Sequence, residues 1–260
     1  MATVGAGIYI KTPAELERMR RAGQVAARAL AAVGQAVRPG ITTGELDAVA
    51  EEAIRAEGGV PSFLGYRGFP ASACVSVNDE IVHGIPGRRV LREGDVVKVD
   101  LGVYLDGFHG DLAATFPVGR IDPGLRRLLG VTEEALYRAI DVVRPGARLG
   151  DIGWTIQSFV ESHGYSVVRE FAGHGVGRFL HEDPQVPNFG TRGRGLVLRP
   201  GIVLAIEPMV NAGTWRARVD GDGWTVRTAD GRPSAHFEHT VAVTEGGCEV
   251  LTRLDEEVGS

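Results

Sequence analysis

Two kinds of pattern alternate along the chain. Long mixed stretches carry helix-start and helix-stop residues, and short apolar runs are rich in Val, Ile and Thr. The first long stretch, PAELERMRRAGQVAARALAAVGQAV, has Thr12 in the N-cap position, Pro13 at the first helical position and acids in its first turn, which predicts a helix. Arg-Pro-Gly stops it. A second helix is predicted over ELDAVAEEAIRAEGG, closed by glycine. The runs CVSVND, DVVKVDLGVYL and DLAATFPV then read as strands. The order repeats. PGLRRLLGVTEEALYRAIDVV follows Asp122, Arg-Pro-Gly stops it, DIGWTIQSFVESHGY forms the next helix, and GIVLAIEPMV, WTVRTAD and HTVAVTE form the strands.

Short motifs repeat along with the elements. VRPGITTGELD at Val37 returns as VRPGARLGDIG at Val143, and LREGDVVKVD at Leu91 returns as LRPGIVLAIE at Leu198. The two offsets differ by a single residue. His83-Gly-Ile-Pro86 has a counterpart in His181-Glu-Asp-Pro184. Several matches in one order imply a duplicated unit. The expectation is one α+β domain over residues 1–260, with pseudo-twofold halves at roughly 12–118 and 122–250. Their strands would form one curved, mainly antiparallel sheet with the helices on its outer face.

Composition narrows the functional classes. With 260 residues and 43% apolar content the chain can bury a sizeable core. A net charge of -5 and the lack of a basic stripe argue against nucleic-acid specificity. Cys74 and Cys248 form no metal-type pair and suit a reducing compartment. The first residues are too polar and Gly-broken for a signal peptide, and no apolar run can span a bilayer. A cytoplasmic protein is expected. Serine-nucleophile elbow, Walker A loop and His-Glu-x-x-His are all missing, since Gln185 stands where the second histidine of that motif would fall.

The duplicated frame also repeats an acid. Each Leu-Arg-x-Gly run ends on a carboxylate, Asp100 or Glu207, and each half closes with an acid near a histidine, Asp111 or Glu238. Facing halves would bring Asp100 to Glu207 and Asp111 to Glu238. Four carboxylates cannot share a buried pocket as anions without cations, and two divalent ions would balance them. His174, between glycines, adds a neutral nitrogen donor. This donor set points to Mn, Fe, Co or Zn and to hydrolysis by an activated water. Singly, an acid at a strand end is usually solvated and a histidine between glycines usually marks a turn. The five together on a duplicated frame outweigh those readings. His83 and His181 remain free for substrate and proton handling.

VNDEIVHGIP, VKVDLGVYLDGFHGDLAATF, AGHGVGRFLHEDPQVPN, LAIEPMVN and DGWTVRTADGRPSAHFEHT together resemble the type I methionine aminopeptidases, pita-bread metallopeptidases in their compact bacterial form. The resemblance runs from about Ile10 to Leu251. It implies hydrolytic removal of the initiator methionine from nascent polypeptides whose second residue is small, by a metal-bridging water or hydroxide. It implies Asp100 on one metal, His174 and Glu207 on the other, and Asp111 and Glu238 bridging. Glu207 would be general base then acid, with His181 on the substrate carbonyl and His83 on the amide nitrogen. Tyr66, Phe69, Cys74 and Trp224 would hold the methionine side chain. Asn78 and Ser234 resemble positions lining an auxiliary monovalent-cation site.

Three positions depart from the family pattern. Leu180 stands where an aromatic is frequent and is expected to loosen the pocket wall. Phe69 replaces a tyrosine. His236 replaces a glutamine and is expected to hydrogen-bond near Glu238 rather than to act as a ligand, because i and i+2 of a strand face one side. The resemblance also implies a monomer in transient contact with the ribosome. Two other readings are a proline-specific peptidase on the same fold, and a metal-free binding module.

Overall fold

The computed structural model of the chain describes residues 2–3 and 7–254. Four helices carry the two halves: α1 (Pro13–Ala36), α2 (Thr43–Ala56), α3 (Pro123–Asp141) and α4 (Leu149–Ser162). Thr12 and Glu15 cap α1 reciprocally, with Glu15 N–H donating to Thr12 Oγ1 at 3.3 Å and Thr12 N–H to Glu15 Oε2 at 2.8 Å. Thr42 and Glu45 do the same for α2, and Asp122 caps α3 by accepting from Gly124 N–H at 2.7 Å. Both second helices begin two residues earlier than expected, at Thr43 and Leu149, because their acids sit in the first turn, inside the helix rather than at its start.

Ten strands matter for the site. They are β1 (Ala73–Val77), β2 (Val96–Leu105), β3 (Phe108–Pro117), β4 (Ala172–Gly175), β5 (Glu182–Pro187), β6 (Val203–Ile206), β7 (Met209–Asn211), β8 (Ser234–His236), β9 (His239–Thr244) and β10 (Gly247–Val250). In the first half β2 lies between β1 and β3, with Asp100 opposite Cys74 on one side and Ala113 on the other. In the second half the order is β5-β4-β6-β9-β10, and β7 pairs with β8. All of these pairings are antiparallel.

Strand alternation assigns the faces. Val97, Val99, Leu101 and Val103 of β2 pack with Val25, Leu30, Val33, Leu46 and Ile54 of α1 and α2 in one core. Lys98, Asp100 and Gly102 therefore face the other way, towards the second half. A separate core joins α3 and α4 to β6 and β9 through Leu136, Ile152, Ile156, Leu204 and Val241.

The predicted run GIVLAIEPMV is broken at Glu207-Pro208 into β6 and β7. Proline brings no N–H to a ladder. The partner chain segment breaks at the same level, between β8 and β9. Freed there, the Glu238 backbone bridges to Ala113 of β3. That bridge lies within a seam of rungs between the halves. Thr240 Oγ1 donates to Asp111 O at 2.8 Å, Glu238 N–H to Ala113 O at 2.9 Å, and Thr115 Oγ1 to His236 O at 2.7 Å. The duplicated sheets are thus stitched at every second residue of β3.

Candidate metal centre and substrate cavity

The seam forms the floor of a cavity of about 140 Å³. Its walls include the eleven side chains expected to hold metal, act on substrate or hold the methionine side chain: Tyr66, Phe69, Cys74, His83, Asp100, Asp111, His174, His181, Glu207, Trp224 and Glu238. Phe63, Arg67 and Leu180 also line it. Nothing but closeness to Tyr66 marks Phe63 and Arg67 in the sequence.

The acids arrive by different routes. Asp100 stands in the middle of β2 and not at a strand end, so the Leu-Arg-x-Gly echo places the two acids on unlike backbones. Asp111 follows on β3, opposite Gly102. Glu207 and Glu238 emerge at the paired breaks, and Asn188 Nδ2 donates to the Glu207 carbonyl at 3.0 Å. His174, on β4, lies opposite Ala205 of β6.

Asp111, His174 and Glu238 each present a donor atom within 4.8 Å of the others. Glu207, His236 and Glu238 form a second such group, so Glu238 belongs to both. His174 Nε2 is 3.7 Å from Asp111 Oδ2 and 3.9 Å from Glu207 Oε1, too far for hydrogen bonds. His174 Nδ1 is 2.8 Å from the Gly175 carbonyl. A carbonyl only accepts, so Nδ1 carries the proton and Nε2 turns its lone pair to the acids.

These groups are left without internal partners. Asp100 Oδ1, Asp111 Oδ1 and Glu238 Oε1 are buried and accept no hydrogen bond. Burial pushes the Asp100 and Glu207 carboxyls up to about 7. Burial and then neighbouring carboxylates push Asp111 and Glu238 well above the usual range. Buried acids that lack donors call for a cation. The oxygen-and-imidazole donor set fits divalent metal.

His236 differs from expectation. Its Nε2 is 3.3 Å from Glu207 Oε2, and both ring nitrogens lack a hydrogen-bond partner. Alternation along the strand predicts its face correctly. The cross-strand neighbour decides its nearest acid, because His236 pairs with Met209, two residues beyond Glu207.

Lys98 reaches the expected monovalent-cation site. Lys98 Nζ donates to the carbonyls of Asn78 at 2.6 Å and Ser234 at 3.0 Å. A lysine ammonium therefore sits on the two residues assigned to a free ion.

The opposite wall is apolar and aromatic. Phe63, Phe69, Ala71, Cys74 and Leu180 form a buried cluster with Tyr66, Ile85 and Trp224 packed on it. Phe69 meets Trp224 edge-on at 5.1 Å. Burial pushes the Cys74 thiol well up, so it lines the wall as an apolar group. His181 stacks on Tyr66 at 5.3 Å and lies 4.1 Å from the His174 ring. His83, at φ 59°, is flanked by Phe171 and Trp224. Burial lowers His83 to about 4 and His181 to about 3, so both are neutral imidazoles at pH 7.

A buried acid–imidazole cluster on the floor of an open cavity, with neutral histidines above it, defines a metal-dependent hydrolase. The chain belongs to metallopeptidase family M24, whose family model matches residues 17–245. It is 53% identical over 247 residues to methionine aminopeptidase 1 of Bacillus subtilis, covering 95% of this chain and 100% of that one. It is 47% identical over 254 residues to methionine aminopeptidase of Escherichia coli, covering 96% of each. The crystal structure of a Thermotoga maritima methionine aminopeptidase superposes with a TM-score of 0.93 at 49% identity, covering 95% of this chain and 99% of that chain. A prolidase from Pyrococcus furiosus reaches 0.78 at 24% identity over 95% of this chain and 66% of its own, a likeness of fold alone.

Proposed function

We propose that this chain removes the N-terminal methionine from polypeptides whose second residue is small. The observation that carries the reading is the junction, in one cavity, of the unsatisfied Asp–His–Glu floor with the apolar Phe69–Cys74–Leu180–Trp224 wall. An unbranched thioether suits a wall of aromatic rings and a sulfur.

Asp100, Asp111, His174, Glu207 and Glu238 would hold two divalent ions, drawn from Co, Mn, Fe or Zn. When bound, such ions polarise the scissile carbonyl and lower the pKa of the attacking water. The rest falls to the chain's own groups. His181, held by its stack on Tyr66, donates an N–H to the substrate carbonyl oxygen as negative charge develops there. His83 stands over the amide nitrogen, between Phe171 and Trp224. Being neutral, both histidines donate without adding charge that would repel the free α-amino group. Glu207 takes the proton of the attacking water and passes it to the leaving amine.

No helix among the described residues is long and apolar enough to cross a membrane. The reading includes action as a single catalytic domain and monomer in the cytoplasm, in passing contact with ribosomes as new chains emerge. The test is a substrate panel with the metal-loaded protein. Release of methionine from Met-Ala-Ser, with little from Met-Leu-Ser and none from an x-Pro peptide, is expected. Preference for the x-Pro peptide would move the chain to the proline-specific group that shares its fold. Removing the His181 donor by His181→Ala is expected to lower kcat by roughly 10²–10³-fold.

A further inference from the structure

Lys98 is among the largest fully buried side chains of the described residues and has no part in the reaction described above. It is 1% exposed. Lys98 shares a face of β2 with Asp100 and lies opposite Thr115 of β3. Its Nζ donates across the halves to Ser234 O and within the first half to Asn78 O. Asn78 O also accepts from Ser234 N–H at 3.1 Å. Asn78 itself, at φ 56°, is locked by Asp95 and Val96.

The position of Ser234 gives these bonds their meaning. Going up the seam, Thr240, Glu238, His236 and Ser234 meet Asp111, Ala113, Thr115 and Lys98 in turn. The first three meetings are ordinary hydrogen bonds. The fourth is the Lys98 Nζ on two main-chain carbonyls, oxygens of the kind a monovalent cation also uses. A lysine makes this bond without binding an ion from solution, so its occupancy does not depend on salt.

We infer that Lys98 is a tethered stand-in for a monovalent cation, a positioning residue that holds the segment bearing His236 and Glu238 in register with the strand bearing Asp100. The bond has a rationale. Four carboxylates and two facing sheets meet here, and a donor tethered to the chain closes the seam without competing for the divalent ions. Burial draws the Lys98 ammonium down to about 7 against the opposing charge of Asp79 and Glu80, and Arg89 and Arg227 pair with Glu80 at 2.8 and 2.7 Å.

The test compares the full-length metal-loaded protein with Lys98→Ala and Lys98→Met, in potassium chloride and in tetramethylammonium chloride at equal ionic strength. Thermal midpoint, Mn²⁺ affinity and methionine release are read in each. The first two need no substrate, so their outcome is separate from the reading that the chain releases methionine, on which only the third depends. The wild type should be indifferent to the salt. Lys98→Met should lose about 10–100-fold in Mn²⁺ affinity, the usual cost of an outer partner, in either salt. Lys98→Ala leaves a hole lined by the two carbonyls, and potassium should restore about tenfold of its Mn²⁺ affinity where tetramethylammonium, too large to enter, restores none. A wild type that responds to potassium as strongly as the alanine variant would overturn the inference. So would Lys98→Met with unchanged Mn²⁺ affinity. Should Lys98→Ala not fold, the methionine variant and the wild-type salt comparison still decide.

Discussion

The two halves deliver the same kinds of side chain from unlike scaffolds. Asp100 and Asp111 stand within ten-residue strands that pair along their whole length. Glu207 and Glu238 stand where short strands break, beside Pro208 and between β8 and β9. The first half is a rigid ladder that can hold two acids by alternation alone. The second half must be fastened, and it is fastened by rungs to β3. The two halves supply matching chemistry, but the geometry of the centre rests on the first half.

This contrast is broken most severely by removing the acid that belongs to both donor groups. Glu238→Gln should lose one metal per chain, and kcat/KM should fall well beyond the roughly 10–100-fold cost of an outer partner. Metal analysis of the purified variant and steady-state kinetics check both parts.

A smaller effect follows from the raised acids. In chelator-stripped protein Asp100 and Glu207 hold protons up to about pH 7, whereas the unfolded chain loses them near pH 4. The folded state therefore binds more protons between those values. Stability from these groups is full below about pH 4 and is lost as pH rises through 7. Thermal midpoints of stripped protein should fall across that window, and Asp100→Asn should flatten the slope. Saturating Mn²⁺ should reverse the trend, since ligands must shed protons to bind metal. A midpoint that rises with pH in stripped protein would contradict the assignment.

The smallest effect concerns one rung. Thr115→Val removes a hydroxyl that donates to His236 O and accepts from His236 N–H at 2.9 Å. Leaving those buried groups without a partner should cost about 1–3 kcal/mol. Urea unfolding at constant slope measures it. A loss of activity larger than the loss of stability would show that the rung positions the second-half acids as well as binding the halves.

Much of this arrangement is legible in the sequence because it is chemical and periodic. Capping residues mark the helices, the echo of Leu-Arg-x-Gly marks the two acid-bearing strands, and carboxylates without cations demand metal. What escapes is what depends on a partner strand. The break at Glu207-Pro208 is visible only as a proline, and its matching break at Glu238 has no local signal. Asp100 closes the Leu-Arg-x-Gly echo, yet β2 continues through it to Leu105, as the strand predicted over DVVKVDLGVYL does. His236 is placed on the correct face by alternation, while its nearest acid comes from the facing strand. Lys98 carries a usable signal, a charged residue two positions from Asp100 in an otherwise apolar run. Its acceptors, however, are backbone carbonyls, and these leave no mark in a sequence.

The central claim is that the five side chains brought together by the two halves form one two-metal hydrolytic centre. Titrating chelator-stripped protein with Mn²⁺, and following bound metal and methionine release from Met-Ala-Ser together, tests it most directly. The account predicts release that appears only with metal and saturates at two equivalents per chain. Full release from metal-free protein, or binding of two equivalents with no release from well-folded protein, would contradict it.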